Sequence, residues 1–458
     1  NVYHVTDEFV VEASGTTDTR RPDVVLFVNG IPFSVIECKR PGLPVGQDPI
    51  EEAVSQQIRN QRDSEIPRLF HYAQLLLALA MNEASYGATG TPMKFWSVWK
   101  ERELDEATLE RTVNQPLGDE FLSHFFTSDQ YRFKGTTPEQ AREWFETLQA
   151  VGRSVTAQDI ALYALCRPKR LLELADSFTV FDAGERKVAR YQQYFCVKRI
   201  MDRIHKFDSN GSRKGGVVWH TQGSGKSITM VLLAEAIARD PAIKDPKIVL
   251  VTDRVDLDDQ IYRTFDHCGL ELVQAKTGRH LRDLLEDPKA RIITTLINKF
   301  LASRDDRNDD PNVFVLIDES HRTQFGTLHV AMRRALSKAC LIGFTGTPIL
   351  KKEKNTVAQF GGLIDTYTIG EAVPDGAVVP LLYEGRHVPQ DVDRKQIDLW
   401  FKRYTAGLTD QQRADLKKKF STAEQLNQTE QKIRAIAWDI SYHYSTEWQG
   451  TGFKSQLV

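Results

Sequence analysis

The segment Val217–Ser227 restricts what this chain can fold into more than any other. An apolar, β-rich run, Val217-Val-Trp-His220, passes into Thr221-Gln-Gly-Ser-Gly-Lys-Ser227, and a helix-forming stretch, Ile228–Arg239, follows at once. Glycines at 223 and 225 let backbone N–H groups turn inward around phosphate oxygens, and the helix N-terminus adds its partial positive charge. In such a loop Thr221, Gln222 and Ser224 complete the cradle. Lys226 reaches the β- and γ-phosphates, and the Ser227 hydroxyl ligates Mg²⁺. One departure stands out: the general pattern G-x-x-x-x-G-K-[ST] has glycine where this chain has His220. A strand–loop–helix of this kind belongs in a parallel α/β sheet, and the sequence supplies further strands. Lys247–Thr252, Ala290–Thr295, Asn312–Asp318 and Cys340–Thr345 are apolar β-rich runs separated by helical segments.

The run Phe314-Val-Leu-Ile317 ends in Asp318-Glu-Ser-His321. A carboxylate at the C-terminal edge of a parallel strand faces the ligand crevice of such sheets. Asp318 there holds Mg²⁺ through water and Glu319 polarises the attacking water. These residues resemble the helicase superfamily that includes DEAD- and DEAH-box proteins, with Ser320 where Ala is usual. The resemblance extends to four further motifs in order. Arg190-Tyr-Gln-Gln193 matches the adenine-reading glutamine motif, with Gln193 as the contact, so the implied cofactor is ATP. Val251–Arg254 and Thr294–Lys299 match segments that touch DNA phosphates, and Thr345-Gly-Thr-Pro348 matches the motif linking hydrolysis to movement.

A second constellation lies near the N-terminus. Pro22-Asp23 precedes the strand Val24–Val28, Asn29-Gly30 turns the chain, and Phe33–Cys38 forms a second strand that leads into Lys39. Glu37 and Lys39 are two apart on a strand and share a face, while Cys38 points away. Two carboxylates and a lysine converging there can hold Mg²⁺ and orient or deprotonate water for phosphodiester attack. This requires Asp23 and Glu37 on one face. A two-residue Asn29-Gly30 turn pairs Val28 with Ile31 and hence Asp23 with Ile36, which separates them. A three-residue loop Val28–Gly30 with Gly30 at positive φ as a bulge is therefore predicted.

Pro22-Asp23…Glu37-x-Lys39 looks like the P-D…E-x-K endonuclease motif. Ahead of this motor it resembles the restriction (motor) subunit of type I restriction enzymes, across essentially the whole chain. The phrases that carry the likeness are Arg21–Val28, Ile36–Pro41, Arg190–Tyr194, Trp219–Ser227 and Asp318–Arg322. The resemblance implies Asp23, Glu37 and Lys39 as cleavage residues, with Asp23 and Glu37 as metal ligands. It also implies a Q-x-x-x-Y helix, here Gln57…Gln61 with Gln61 in place of Tyr. It implies ATP and Mg²⁺ as cofactors, double-stranded DNA as substrate, and methylation and specificity subunits as partners. A helicase–nuclease of DNA repair or of another anti-phage system is the alternative enzyme. A nucleotide-gated DNA-binding scaffold with a dead nuclease is the alternative of another class.

The implied architecture is α/β, a PD-(D/E)xK-type nuclease domain followed by a RecA-like helicase lobe and the beginning of a second. Its expected spans are 1–150 for the nuclease, 151–205 for a helical linker with the glutamine motif, 206–372 for the first lobe and 373–458 for the truncated second. The opening Asn1-Val-Tyr-His, without an initiating Met, reads as a fragment, and Gly452–Val458 resembles an early nucleic-acid-contacting strand of the second lobe. Helices are predicted over Glu51–Arg62 and Leu69–Met81, a strand over Phe95–Trp99, another near Val378–Tyr383, and charged helices from Arg394 to about Tyr444. The longest apolar run, Leu75–Met81, is too short to span a membrane. The five cysteines are scattered and never in a C-x-x-C arrangement, which points to a reducing cytoplasm. A net charge of −2 leaves DNA binding to local patches.

Overall fold

The computed structural model describes residues 1–40, 47–127, 137–303, 307–318, 325–347, 360–380, 384–386, 394–420 and 430–452. The chain divides into two compact units, Asn1–Val379 and Pro380–Val458.

The first unit opens with a five-stranded sheet in the order β1 (Tyr3–Asp7), β2 (Val24–Val28), β3 (Ile31–Cys38), β4 (Leu75–Ala80), β5 (Glu83–Gly87). All neighbours are antiparallel except β3 and β4, which run parallel. That parallel pair needs a crossover, and helix α1 (Pro49–Asn60) lies within it. The start of α1 is specified locally: Pro49 occupies the first turn, and Asp48 accepts from the Ile50 N–H at 2.7 Å and the Glu51 N–H at 3.1 Å.

Strand β4 corrects the helix predicted over Leu69–Met81. Only Pro67–Phe70 is helical there, and Leu75-Leu-Leu-Ala-Leu-Ala80 is a strand buried along its whole length. Its alternate residues enter different cores. Leu75, Leu77 and Leu79 pack with Ile36, Leu76 with Val25 and Val35, and Ala78 with Ala53 and Val54 of α1. A strand covered on both faces is apolar at every position, so it has no period by which to tell it from a buried helix. The strand predicted over Phe95–Trp99 is also absent. Met93–Phe95 is a 3-10 turn and only Ser97 bridges, to Tyr86.

Helices then predominate, as predicted, over Glu106–Val113, Asp119–Thr127, Pro138–Val151, Ala157–Cys166 and Pro168–Ser177. A hairpin, Thr179–Asp182 with Glu185–Val188, was not predicted; its turn is Ala183-Gly184, both at positive φ. Helix α2 (Tyr191–Ile204) follows.

The second sheet has seven strands, all parallel: β6 (Gly216–His220), β7 (Lys247–Thr252), β8 (Val273–Gln274), β9 (Ile292–Leu296), β10 (Val313–Ile317), β11 (Cys340–Thr345) and β12 (Leu363–Tyr367). Their spatial order is β8-β9-β7-β10-β11-β6-β12. Successive residues alternate between two cores. Val218, Ile248, Leu250, Phe314 and Leu316 pack with α2 and with α3 (Lys226–Arg239), while Val217, Val249, Val251, Val315 and Ile317 face Leu281, Phe300 and Met332. β12 was not predicted. The strand predicted near Val378–Tyr383 is absent at 378–380, and 381–383 lie outside the described residues.

One core runs through both sheets of this unit. Ile36, Leu77 and Tyr86 of the first sheet join Trp99, Tyr194, Phe195 and Val218 in a single buried cluster. The Tyr86 hydroxyl donates to the Ala189 carbonyl at 2.9 Å, and Arg170 stacks over Trp99 and Tyr194.

The second unit contains the charged helices Arg394–Tyr404, Asp410–Phe420 and Glu430–His443, as predicted. Arg386 pairs with Asp439 in a two-pronged salt bridge. The predicted strand over Gly452–Val458 falls at 453–458 outside the described residues.

Candidate functional site

The β2–β3 hairpin resolves the register problem differently from the prediction. Asn29 and Gly30 both have positive φ, 52° and 80°, and Val28 pairs with Ile31, so the loop has two residues. That turn matches the twist of the strands. The bulge sits further along, where Leu26 pairs with Ser34 and Phe27 with Pro32, leaving Phe33 extra. Pro32, without an N–H to give the ladder, lies beside the irregularity. Val24 then pairs with Ile36, which sets Asp23 opposite Glu37. The carboxylates share a face although the loop is not the predicted one.

An Asp23 carboxylate oxygen accepts the Cys38 N–H at 2.6 Å. Glu37 is 1% exposed, and its Oε1 lies 3.6 Å from Lys39 Nζ. Burial first, then the neighbouring Asp23 charge, pushes the Glu37 carboxyl up to about 7 against the opposing pull of Lys39. Burial also raises Asp23, opposed by the Cys38 N–H and Lys39. Two carboxyl groups that resist ionising side by side form a site whose anionic state a divalent cation would relieve.

Sequence reasoning missed Gln56. Its carboxamide oxygen accepts from Lys39 Nζ at 2.6 Å and its amide nitrogen donates to Glu37 Oε1, so it bridges the two. Gln57, the residue singled out from the sequence, is buried and turned to the sheet. Its amide donates to the carbonyls of Val35 at 3.1 Å and Leu77 at 3.2 Å, tying α1 to β3 and β4. Gln61 donates to the Gln57 carbonyl and accepts the Gly90 N–H at 2.7 Å, so it anchors the helix end.

In the second sheet the nucleotide motifs gather at the C-terminal edge of the parallel strands. Thr221–Gly225 lies between β6 and α3, with Gly223 and Gly225 at φ 81° and 88°. A Cβ on Gly225 would meet Gln193 Nε2 at 2.6 Å, and one on Gly346 would meet Lys226 Nζ at 3.1 Å and Gln222 N at 3.3 Å. Thr345–Thr347 therefore closes on the loop as tightly as glycine permits. Among the described residues Lys226 Nζ makes one long contact, 3.4 Å, to the His220 carbonyl. The Ser224 hydroxyl is buried without a hydrogen-bond partner among the described residues, and Ser227 is half-buried in the first turn of α3. Gln193 is held from both sides: its oxygen accepts the Arg190 N–H at 2.9 Å and its amide donates to the Gly225 carbonyl at 3.2 Å. Asp318 follows β10, half-buried, with its N–H on the Val251 carbonyl at 3.0 Å. Glu319, the rest of Ser320–Arg322, and Pro348 lie outside the described residues. An inward-turned glycine loop, with a lysine and a buried hydroxyl that have no close partner among the described residues, suits a nucleoside triphosphate.

All five cysteines are free, and no helix among the described residues is long and apolar enough to cross a membrane.

Comparison with known proteins bears on both sheets. Residues 1–95 match the family model for the type I restriction enzyme R protein N terminus, and residues 192–414 match that for the SWI2/SNF2 ATPase. The seven-stranded parallel sheet with this match is a RecA-like helicase lobe. The chain is 29% identical, over all of its length, to the type I restriction enzyme MjaIXP endonuclease subunit of Methanocaldococcus jannaschii, of which it covers 42%. It is 30% identical, over 96% of its length, to the type I restriction enzyme HindI endonuclease subunit of Haemophilus influenzae, of which it covers 40%. The chain thus spans about two fifths of the length of the curated relatives it matches.

Proposed function

We propose that this chain, which belongs to the family of type I restriction enzyme R proteins, supplies a restriction system with an Mg²⁺-dependent nuclease site and the first half of an ATP-driven DNA motor. The observation that carries the reading is the pairing of Asp23 with Glu37, beside Lys39, on a chain that also holds a formed phosphate loop. We assign 1–150 to a PD-(D/E)xK-type nuclease domain, 151–205 to the linker with the glutamine motif, 206–372 to the first lobe, and 373–458 to the start of a second.

At the nuclease site, ionised Asp23 and Glu37 would hold Mg²⁺, which when bound supplies Lewis acidity and a more acidic water. Lys39 presents its charge to the scissile phosphate and orients the attacking water. Gln56 fixes both Lys39 and Glu37. At the nucleotide site, backbone N–H groups of 221–225 receive the phosphates, Lys226 neutralises the β- and γ-oxygens, and Gln193 reads the adenine. Ser227 and Asp318 would hold its Mg²⁺, and Glu319 polarises the attacking water. The DNA target is read by partners, the methylation and specificity subunits, and the substrate is unmodified double-stranded DNA in the cytoplasm.

The test uses the full-length protein with those subunits. Unmodified DNA should be cut only with ATP and Mg²⁺ together, and methylated DNA should survive. Cutting of both DNAs at equal rates, or cutting without ATP, would refute the restriction reading.

A further inference from the structure

His220, which stands where the general phosphate-loop pattern has glycine, is part of a buried charged cluster outside the site described above. Its Nε2 lies 2.8 Å from one oxygen of Asp365 on β12, and both side chains are essentially inaccessible, 1% and 0% exposed. The other Asp365 oxygen accepts from Arg102 Nη1 at 2.8 Å and from Arg199 of α2. Arg102 also donates to the Thr366 carbonyl at 3.2 Å. Cys196 Sγ approaches within 4.8 Å of the His220 and Asp365 ligand atoms. The cluster is nevertheless a poor metal site. Both carboxylate oxygens are already taken, two guanidinium groups repel a cation, and burial holds the Cys196 thiol protonated.

The cluster instead braces the phosphate loop. β12 pairs with β6, His220 beside Tyr367, and the Tyr367 carbonyl accepts the N–H of Thr221, the first loop residue, at 2.9 Å. The His220 carbonyl in turn faces Lys226. Burial penalises the charged form of Asp365, yet the His220 hydrogen bond and the charges of Arg102 and Arg199 hold its carboxyl below the ordinary value, so it stays anionic, while burial pushes His220 itself down toward the neutral imidazole. Removing Arg102 takes one of three partners from this buried anion and leaves His220 and Arg199 to hold it, with His220 standing directly before the phosphate loop.

We propose that Arg102 is a positioning residue of the nucleotide site, acting through Asp365 and His220 to set the start of the phosphate loop. This rests on the ATP-site reading above. In the full-length protein, Arg102→Ala should raise KM for ATP about tenfold with kcat within about twofold, a coupling of ordinary allosteric size. Guanidinium ion, well below denaturing concentrations, should restore KM. Asp365→Asn, isosteric, should raise KM similarly and gain nothing from guanidinium. A KM within about twofold of the parent in Asp365→Asn overturns the proposal, as does an Arg102→Ala loss that guanidinium leaves unchanged. If Arg102→Ala does not fold, Asp365→Asn decides alone. Lys226→Ala tests the underlying reading separately: undiminished ATP turnover in that variant means the loop is not the ATP site.

Discussion

Replacing Glu37 by glutamine should stabilise the protein, and the gain should grow with pH. The carboxyl rises from an ordinary value of 4.5 to about 7 because folding buries it beside Asp23. Between those values the folded state holds a proton that the unfolded state has released. Stability therefore falls as pH rises from about 4.5, and the loss is complete above about 7. Linkage puts the cost at roughly 1 kcal/mol at pH 5 and about 3 kcal/mol at pH 8. At 1% exposure solvent screening does not reduce this much. Glutamine keeps the shape but deprives Lys39 of its anion, so the net gain at pH 8 should be about 1–3 kcal/mol. Denaturant midpoints of parent and variant at pH 5 and pH 8, without divalent cations, measure it. An equal gain at both pH values, or a less stable variant at pH 8, would refute the burial-and-repulsion account. Mg²⁺ should then raise the midpoint of the parent at pH 8 and leave that of the variant unchanged.

Three further outcomes follow from the same geometry. Gln57→Ala should lower stability by roughly 1–3 kcal/mol, since it removes two buried hydrogen bonds that tie α1 to the sheet, as a denaturation curve would show. Gln56→Ala should spare stability and slow DNA cleavage about 10–100-fold, by loosening Lys39 and Glu37, the groups proposed to act on metal and water. Gly225→Ala meets both a left-handed φ of 88° and Gln193 at 2.6 Å, so affinity for a fluorescent ATP analogue should fall at least about tenfold.

What was legible in the sequence was what is set locally. Glycine spacing, Lys226 and Ser227 define a loop whose shape follows from backbone permissiveness, and the strands on either side keep their own composition. β7 and β11 occupy Lys247–Thr252 and Cys340–Thr345, as read from the sequence. What was not legible depended on packing at a distance. The letters Asp23, Glu37 and Lys39 were plain, but the bulge at Phe33 was not: it sets Val35 opposite Val25 in one core and Ile36 opposite Val24 in another, while Asn29-Gly30 keeps its tight turn. β4 was read as helix because its neighbours cover both faces. Gln56 and Gln57 are adjacent, and only the buried face of α1 separates them. Ala53, Gln57 and Asn60 follow the helical spacing i, i+4, i+7, a signal that would have turned Gln57 inward and left Gln56 to the carboxylates.

On the proposed reading one chain carries two chemically independent sites, and side-by-side assays of two variants separate them. In the full-length protein with its partner subunits, ATP, Mg²⁺ and unmodified DNA, Glu37→Ala should abolish cleavage while DNA-dependent ATP hydrolysis stays near the parent rate. Lys226→Ala should abolish both, because cleavage awaits translocation. Loss of ATP hydrolysis in a folded Glu37→Ala protein, or cleavage surviving in Lys226→Ala, would show that the two sites are not independent in this way.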